Sequence, residues 1–167
     1  MVEEAEGPRL SSVVYPTVWP PRCELVAVCQ RRRQFHRWLT AEVPHAAPGE
    51  GCQCGIYAAS DPTRLRPYLT GHAADARSSG RLLGRVAGRV LLWGKVVECE
   101  HGWRASHAYP ERIYLHSGAD WPLLGPDQLS ADQLGGALVG YGVPVERVAC
   151  GTPGELVEAL GREAEAA

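Results

Sequence analysis

The clearest hydrophobic pattern in the chain is a strand-like one over residues 82–100. Apolar side chains recur there at even spacing, so an extended chain carries them on one face. Gly88 and Gly94 interrupt the stretch, and glycine inside a strand indicates a bulge or sharp coiling. His101 and Gly102 then favour a turn, so we predict a long, coiled β-hairpin. The apolar positions on the shared face are Val86, Val90, Leu92 and Val96.

The residues after the turn predict the second strand of this hairpin. Residues 103–109 return antiparallel to the first strand, and Pro110 ends the pairing because proline has no backbone N–H. Residues 113–115 predict a further short strand. A three-residue loop places Glu98 opposite Arg104, where the two side chains would form an ordinary ion pair.

Shorter elements precede the hairpin. Residues 1–12 are acidic and polar and predict a flexible terminus, whereas residues 13–29 predict two short strands separated by a proline turn. Residues 31–51 have little periodicity and predict a long loop, which is a common place for a functional site. Residues 60–69 predict a short helix that Pro67 shortens or kinks.

The C-terminal third changes to helical spacing. Ser130 and Gln133 form a capping box, and the helix that it opens ends at Gly142. Residues 143–150 predict a strand, and a second capping box over residues 152–155 opens the last helix. The hairpin is therefore followed by a strand-helix-strand-helix segment.

Composition and charge narrow the class of protein. The chain has 167 residues, of which 45% are hydrophobic and 22% are charged, as in ordinary globular proteins. The acidic N-terminus lacks the features of a secretory signal, and no apolar run reaches membrane-spanning length. We therefore expect a cytoplasmic protein with no membrane partner.

One basic cluster, residues 30–38, is a weak signal for nucleic-acid binding because aromatic residues are interleaved with arginines. The net charge of −2 argues against this function, since phosphate-binding proteins normally carry a broad basic surface. We expect the cluster to be a solvated surface and expect no nucleic-acid partner.

The cysteine pattern predicts a metal site. Six cysteines are many for a cytoplasmic chain of this size, and a reducing compartment favours metal binding, catalysis or burial over disulfides. His45, Cys52 and Cys54 lie close together in the sequence, and thiolate and imidazole are the ligands that zinc prefers. Cys29, at the end of a predicted strand, is the first choice for the fourth ligand. Cys23 and His36 are the substitutes.

The sequence leaves three other chemistries open for these residues. If only His45, Cys52 and Cys54 bind the metal, the fourth position holds water and the site is hydrolytic, with Glu50 as the nearest base. The thiols would otherwise form a redox pair. A thiol enzyme would use Cys54, or Cys150 at a predicted helix N-terminus, although Cys150 also fits a small buried side chain.

The hairpin turn carries a second candidate site. Glu98, Arg104 and His107 lie near it, and such a group could bind an anion as ligand through Arg104 and use His107 or Glu98 as a base. The same residues also suit an ordinary strand surface.

These elements predict an α+β fold in a single domain over residues 1–167. We expect a coiled antiparallel sheet or partial barrel with a zinc-clamped loop, followed by the C-terminal strand-helix-strand-helix segment. Residues 13–81 would form a metal-loop lobe, and residues 82–167 would form the sheet with its α/β end.

Two motifs resemble an uncharacterised family of small bacterial proteins from GC-rich genomes. The first is His45-x-x-Pro48 followed by Cys52-x-Cys54-Gly55-Ile56-Tyr57-Ala58. The second is Leu92-Trp93-Gly94-x-Val96-x-Glu98, followed by Gly102-Trp103-Arg104-Ala105 and Ala108-Tyr109-Pro110. The resemblance covers about a third of the chain and implies one integrated unit that contains both motifs, but it implies no activity.

The functional prediction is a zinc-stabilised binding or regulatory module that recognises a protein or a small ligand. Its alternatives are a metal-dependent hydrolase with an open His/Cys/Cys site and a thiol enzyme. No phosphate loop, nucleophile elbow or dinucleotide fingerprint is present in the sequence.

Overall fold

The computed structural model describes residues 1–4, 7–14, 17–29, 45–70, 82–116 and 129–165. The strands are β1 (Val2–Glu4), β2 (Gly7–Arg9), β3 (Leu25–Val26), β4 (Ile56–Ala59), β5 (Ala87–Cys99), β6 (Gly102–His116) and β7 (Val145–Val148). The α-helices are α1 (Arg66–Leu69), α2 (Ala131–Leu138) and α3 (Pro153–Glu165), with 3₁₀ turns at Pro62–Leu65 and Val139–Tyr141.

The fold is α+β, as predicted, and it is organised around β6. Strand β5 pairs along one edge of β6, while β4, β3 and β7 pair in turn with the other edge. The resulting five-stranded sheet does not close into a barrel. Its pairs are antiparallel except for β6 and β7, which run parallel.

Strands β3 and β4 lie in line along the same edge of β6. Val26 is opposite His107 and Ile56 is opposite Ala105, and both strands run antiparallel to β6. The backbone N–H of Ala27 donates to the carbonyl of Ser106, 2.8 Å away, between these two positions. The chain therefore leaves the sheet after Ala27 and returns almost at the same point.

A β-bulge at Gly94 confirms that this glycine marks an irregularity in β5. The register with β6 shifts between Trp93 and Val96, and Gly94 has a φ of +75°. The backbone N–H of Lys95 donates to Ser106 Oγ at 2.9 Å. Glycine is favoured here because a positive φ strains other residues.

Pro110 lies inside β6 and does not end it, so that prediction is wrong. Val90 is opposite Pro110 and Arg89 is opposite Arg112, which leaves Glu111 as an extra residue on β6. On the other edge, Pro110 falls between the β3 and β7 pairings. A proline is tolerated at a bulge because no ladder bond needs its missing N–H.

The loop of the β5–β6 hairpin is shorter than predicted. Cys99 pairs with Gly102, so two residues connect the strands, and Gly102 has a φ of +145°. Glu98 is therefore opposite Trp103, and the predicted pairing of Glu98 with Arg104 is wrong. A shift of one residue moves a side chain to the other face of a strand.

Apolar clusters cover both faces of the sheet at the open end of the β5–β6 hairpin. Ile113 packs in a cluster with α2, whereas Tyr114 packs in a second cluster with α3. Because neighbouring strand residues point to opposite faces, α2 and α3 lie on opposite sides of β6. The larger cluster also contains Met1 and Leu10, so the N-terminal segment that was expected to be flexible contributes strands and buried side chains.

The predicted start of the first C-terminal helix is confirmed. Ser130 and Gln133 form the capping box of α2, and Gly142, with a φ of +70°, ends the 3₁₀ turn that follows α2. The helix expected over residues 60–69 is a 3₁₀ turn followed by one turn of α1, with Pro67 near the start of α1. Proline suits that position because the first helical N–H groups have no partner within the helix.

Candidate metal centre

Four potential metal ligands meet where the chain leaves and rejoins the sheet. Cys29 lies just after β3, and Cys52 and Cys54 lie just before β4. His45 folds back from the connecting segment to join them. Ligand atoms of the four residues all lie within 4.8 Å of one another. The in-line arrangement of β3 and β4 explains why residues distant in sequence lie together.

Two of the distances within the cluster are close to those expected around a tetrahedral metal ion. Cys29 Sγ is 3.7 Å from Cys52 Sγ, and His45 Nε2 is 3.3 Å from Cys54 Sγ. Two sulfurs bound to one zinc ion at ~2.3 Å in a tetrahedron lie ~3.8 Å apart. A disulfide needs ~2.05 Å. All six cysteines are free, so the spacing fits ligands to a common ion better than a bond between two thiols.

The turn that carries Cys52 and Cys54 is held by its own backbone. The N–H of Gly49 donates to Cys54 Sγ at 3.2 Å, and the N–H of Cys52 donates to the carbonyl of Gly49 at 3.3 Å. Gly55 has a φ of +129°, and a Cβ there would lie 3.1 Å from Arg104 Cβ. Glycine at position 55 therefore allows both an unusual backbone conformation and close packing on β6.

Arg104 holds this turn from the neighbouring strand. Its guanidinium donates to the carbonyls of Cys52 and Cys54, and its Nε donates to Cys99 Sγ at 3.4 Å. Sequence reasoning assigned Arg104 to anion binding and missed these contacts. Nothing in the spacing of the cysteines indicates them, because they depend on the pairing of β4 with β6.

The two buried thiols of the cluster differ in acidity. Burial opposes the ionisation of Cys52, but hydrogen bonds from Cys54, Cys29 and His45 outweigh it and lower the pKa of the Cys52 thiol to about 7. Burial raises the pKa of Cys54. Both residues are buried, with Cys52 and Cys54 6% and 4% exposed. A bound cation would stabilise Cys52 and Cys54 together as thiolates.

The alternative ligands from the sequence are placed differently. Cys23 is exposed and is not a member of the four-residue cluster. His36 and the basic cluster of residues 30–38 lie outside the described residues. Glu50, the candidate base, is exposed beside the turn.

Glu98, Arg104 and His107 do not form one site in the structure. The register places Glu98 of β5 and Arg104 of β6 on opposite faces of the sheet, and Arg104 is engaged with the cysteine turn. His107 stacks on Trp93 with ring centroids 6.0 Å apart, and its Nδ1 lies 2.8 Å from Ser106 Oγ. Arg104 and His107 therefore have separate local partners.

Cys150 is buried in the apolar cluster under α3. It is 7% exposed and shares this cluster with Leu156 and Val157. A thiol in such surroundings behaves as a small apolar side chain.

Comparisons with family profiles, curated proteins and solved structures found no match to this chain. The resemblance to an uncharacterised bacterial family therefore stays a prediction. Among the described residues, no helix combines the length and apolar character needed to cross a membrane.

Proposed function

We propose that this protein is a zinc-stabilised binding or regulatory module whose zinc ion is held by Cys29, His45, Cys52 and Cys54. One observation carries the proposal, namely the convergence of three thiols and an imidazole within 4.8 Å. Thiolate-rich sites select soft or borderline metals, and four such ligands around a single ion are typical of zinc.

The number of ligands supports a structural role for the ion. Structural zinc sites have four protein ligands, whereas catalytic sites keep one position for water or substrate. Because Cys29 lies beside Cys52, the cluster supplies four protein ligands. Three thiolates and a neutral imidazole leave a negative charge on the centre, and the adjacent guanidinium of Arg104 offsets it.

The position of the cluster supports a role in holding a surface. It joins the two ends of the segment that interrupts the β3–β4 line, so a bound ion ties that segment to the sheet. Metal binding adds to the free energy of folding where apolar burial is small. Among the described residues, the apolar neighbours of the cluster are few: Ala47, Ala27 and the cysteines themselves.

A metal-dependent hydrolase with an open His/Cys/Cys site and a thiol enzyme are the alternatives. The hydrolase needs water in place of Cys29, and the thiol enzyme needs one cysteine that alkylates far faster than the others near neutral pH. The low exposure of Cys54 and Cys150 favours the binding module over the thiol enzyme.

The test is the metal content of untagged protein, measured by elemental mass spectrometry on a matched pair of variants. Cys29→Ser removes one proposed ligand, while Cys23→Ser removes an exposed cysteine outside the cluster. We expect about one zinc per chain in the wild type and in Cys23→Ser, and a large loss in Cys29→Ser, because a tetrahedral site needs all four ligands.

Two results would contradict the proposal. The first is wild-type protein that folds and contains no metal. The second is equal zinc content in both variants, which would leave a three-ligand site and favour the hydrolase.

A further inference from the structure

The two segments that the metal cluster joins also form one wall of an apolar cavity of about 260 Å³. Val28 directly precedes Cys29, and Gly55 directly follows Cys54. The N-terminal segment that includes Leu10 and Trp19 also lines the cavity, as do residues of β5 and β6. The cavity is distinct from the metal cluster, because none of the four proposed ligands lines it.

Its mouth exposes apolar side chains that a folded protein would normally bury. Val13, Val26, Val28 and Tyr57 are 43%, 49%, 69% and 41% exposed, and all four line the cavity. Large exposed apolar side chains that gather around a concavity are typical of a binding site.

The charges in the lining are already neutralised. Arg89 pairs with Glu111 at 3.4 Å, and Arg112 pairs with Glu146. Among the described residues of the lining, these two arginines are the charged ones, so neither presents an unpaired charge to a ligand.

The aromatic polar groups of the lining are also satisfied. Trp19 Nε1 donates to Ser12 Oγ at 2.9 Å, and the hydroxyl of Tyr57 donates to the carbonyl of Gln53 at 2.5 Å. The chemistry of the walls therefore suits an uncharged, mainly apolar molecule.

The volume sets the size of this molecule. An apolar cavity of ~150 Å³ holds benzene, and drug-sized sites begin at ~300 Å³. A cavity of about 260 Å³ lies between these limits. We infer that it binds a small uncharged ligand of one or two rings, or a branched aliphatic molecule of similar size. This inference rests on the proposed binding function and names the ligand class.

The test uses 5-fluoroindole, an uncharged two-ring probe, in a ¹⁹F NMR titration of the full chain. Val13→Trp and Val26→Trp each add a bulky ring, and the two positions come from different segments of the lining. Val139→Trp is the matched control, because Val139 is 66% exposed and lies outside the cavity. We expect saturable binding to the wild type and to the control, and about tenfold or greater weakening in the cavity variants, since a filled site cannot repack freely.

Several results would overturn the inference. One is the absence of saturable binding, and another is unchanged binding in both cavity variants while thermal unfolding shows them folded. A concentration-dependent dimer of the wild type that Val26→Trp dissociates would assign the apolar mouth to a second copy of the chain instead. Zinc content of the same samples separates the two proposals. Zinc without probe binding overturns only the cavity ligand, and probe binding without zinc overturns only the metal site.

Discussion

At the scale of single residues, spacing in the sequence was enough to propose a ligand set. His45, Cys52 and Cys54 follow from local spacing, and the structure gathers them with Cys29. The choice between Cys23 and Cys29 could not be made from the sequence, because both flank the same predicted strand. It depends on where β3 pairs with β6, which is a contact between distant parts of the chain.

Arg104 should tune the affinity for the metal without being a ligand. Arg104→Gln removes the positive charge. It also weakens or removes the hydrogen bonds that the guanidinium donates to the carbonyls of Cys52 and Cys54. Second-layer contacts of this kind typically change metal affinity by about 10- to 100-fold. We expect a loss of that size when zinc is titrated against a chelator of known affinity.

Arg89→Gln is the control for Arg104→Gln. Arg89 is on β5, and its ion pair with Glu111 is about half exposed, so its loss should leave zinc affinity unchanged. Equal affinities in wild type, Arg89→Gln and Arg104→Gln would show that the Arg104 contacts do not support the metal site.

At the scale of elements, periodicity predicted the hairpin, the bulge at Gly94 and the capping box of α2. It failed where two strands must be aligned. The length of the hairpin loop and the position of Pro110 within β6 are decided by pairing with β5, and a pattern in one strand does not encode the register of two. The parallel pairing of β7 with β6 was missed for the same reason.

Gly102 should be far more sensitive to alanine than a helical glycine. A Cβ at position 102 would lie 2.0 Å from the carbonyl oxygen of Ala58, on the neighbouring strand β4, and φ there is +145°. We expect Gly102→Ala to lower the free energy of unfolding by about 2 to 4 kcal/mol, since strain and overpacking both contribute. Urea denaturation measures this difference.

Gly136→Ala is the matched control for Gly102→Ala, because position 136 has room for a side chain. Gly136 lies within α2, and a Cβ there would meet nothing within 4 Å. Alanine should raise the free energy of unfolding by up to about 1 kcal/mol, because it is the better helix former. Effects of equal size and sign at the two positions would contradict the observed packing of β4 on β6.

At the scale of the whole molecule, the metal cluster and the main core are separate structures joined at one edge of the sheet. Within the part of the chain that the structure describes, the cluster has little apolar packing of its own, whereas the β5–β6 hairpin is covered by two larger apolar clusters. The fold class was predictable because it depends on element types. The in-line placement of β3 and β4, which creates the cluster, was not, because it depends on a shared partner strand.

Metal removal should therefore loosen one edge of the molecule and leave the rest folded. After chelation, we expect faster amide hydrogen exchange in residues 45–59 and around Cys29, with β6 and α3 still protected. Added zinc should restore the slow exchange. Uniform loss of protection across the chain, or no change at all, would contradict this separation between the cluster and the core.

The most direct test of the central claim is X-ray absorption at the zinc K edge on the purified protein. The account predicts a four-coordinate ion with three sulfur ligands at ~2.3 Å and one nitrogen ligand at ~2.0 Å. A shell with two sulfurs and an oxygen from water would contradict the closed site and favour hydrolysis, and the absence of bound zinc would contradict the metal site itself.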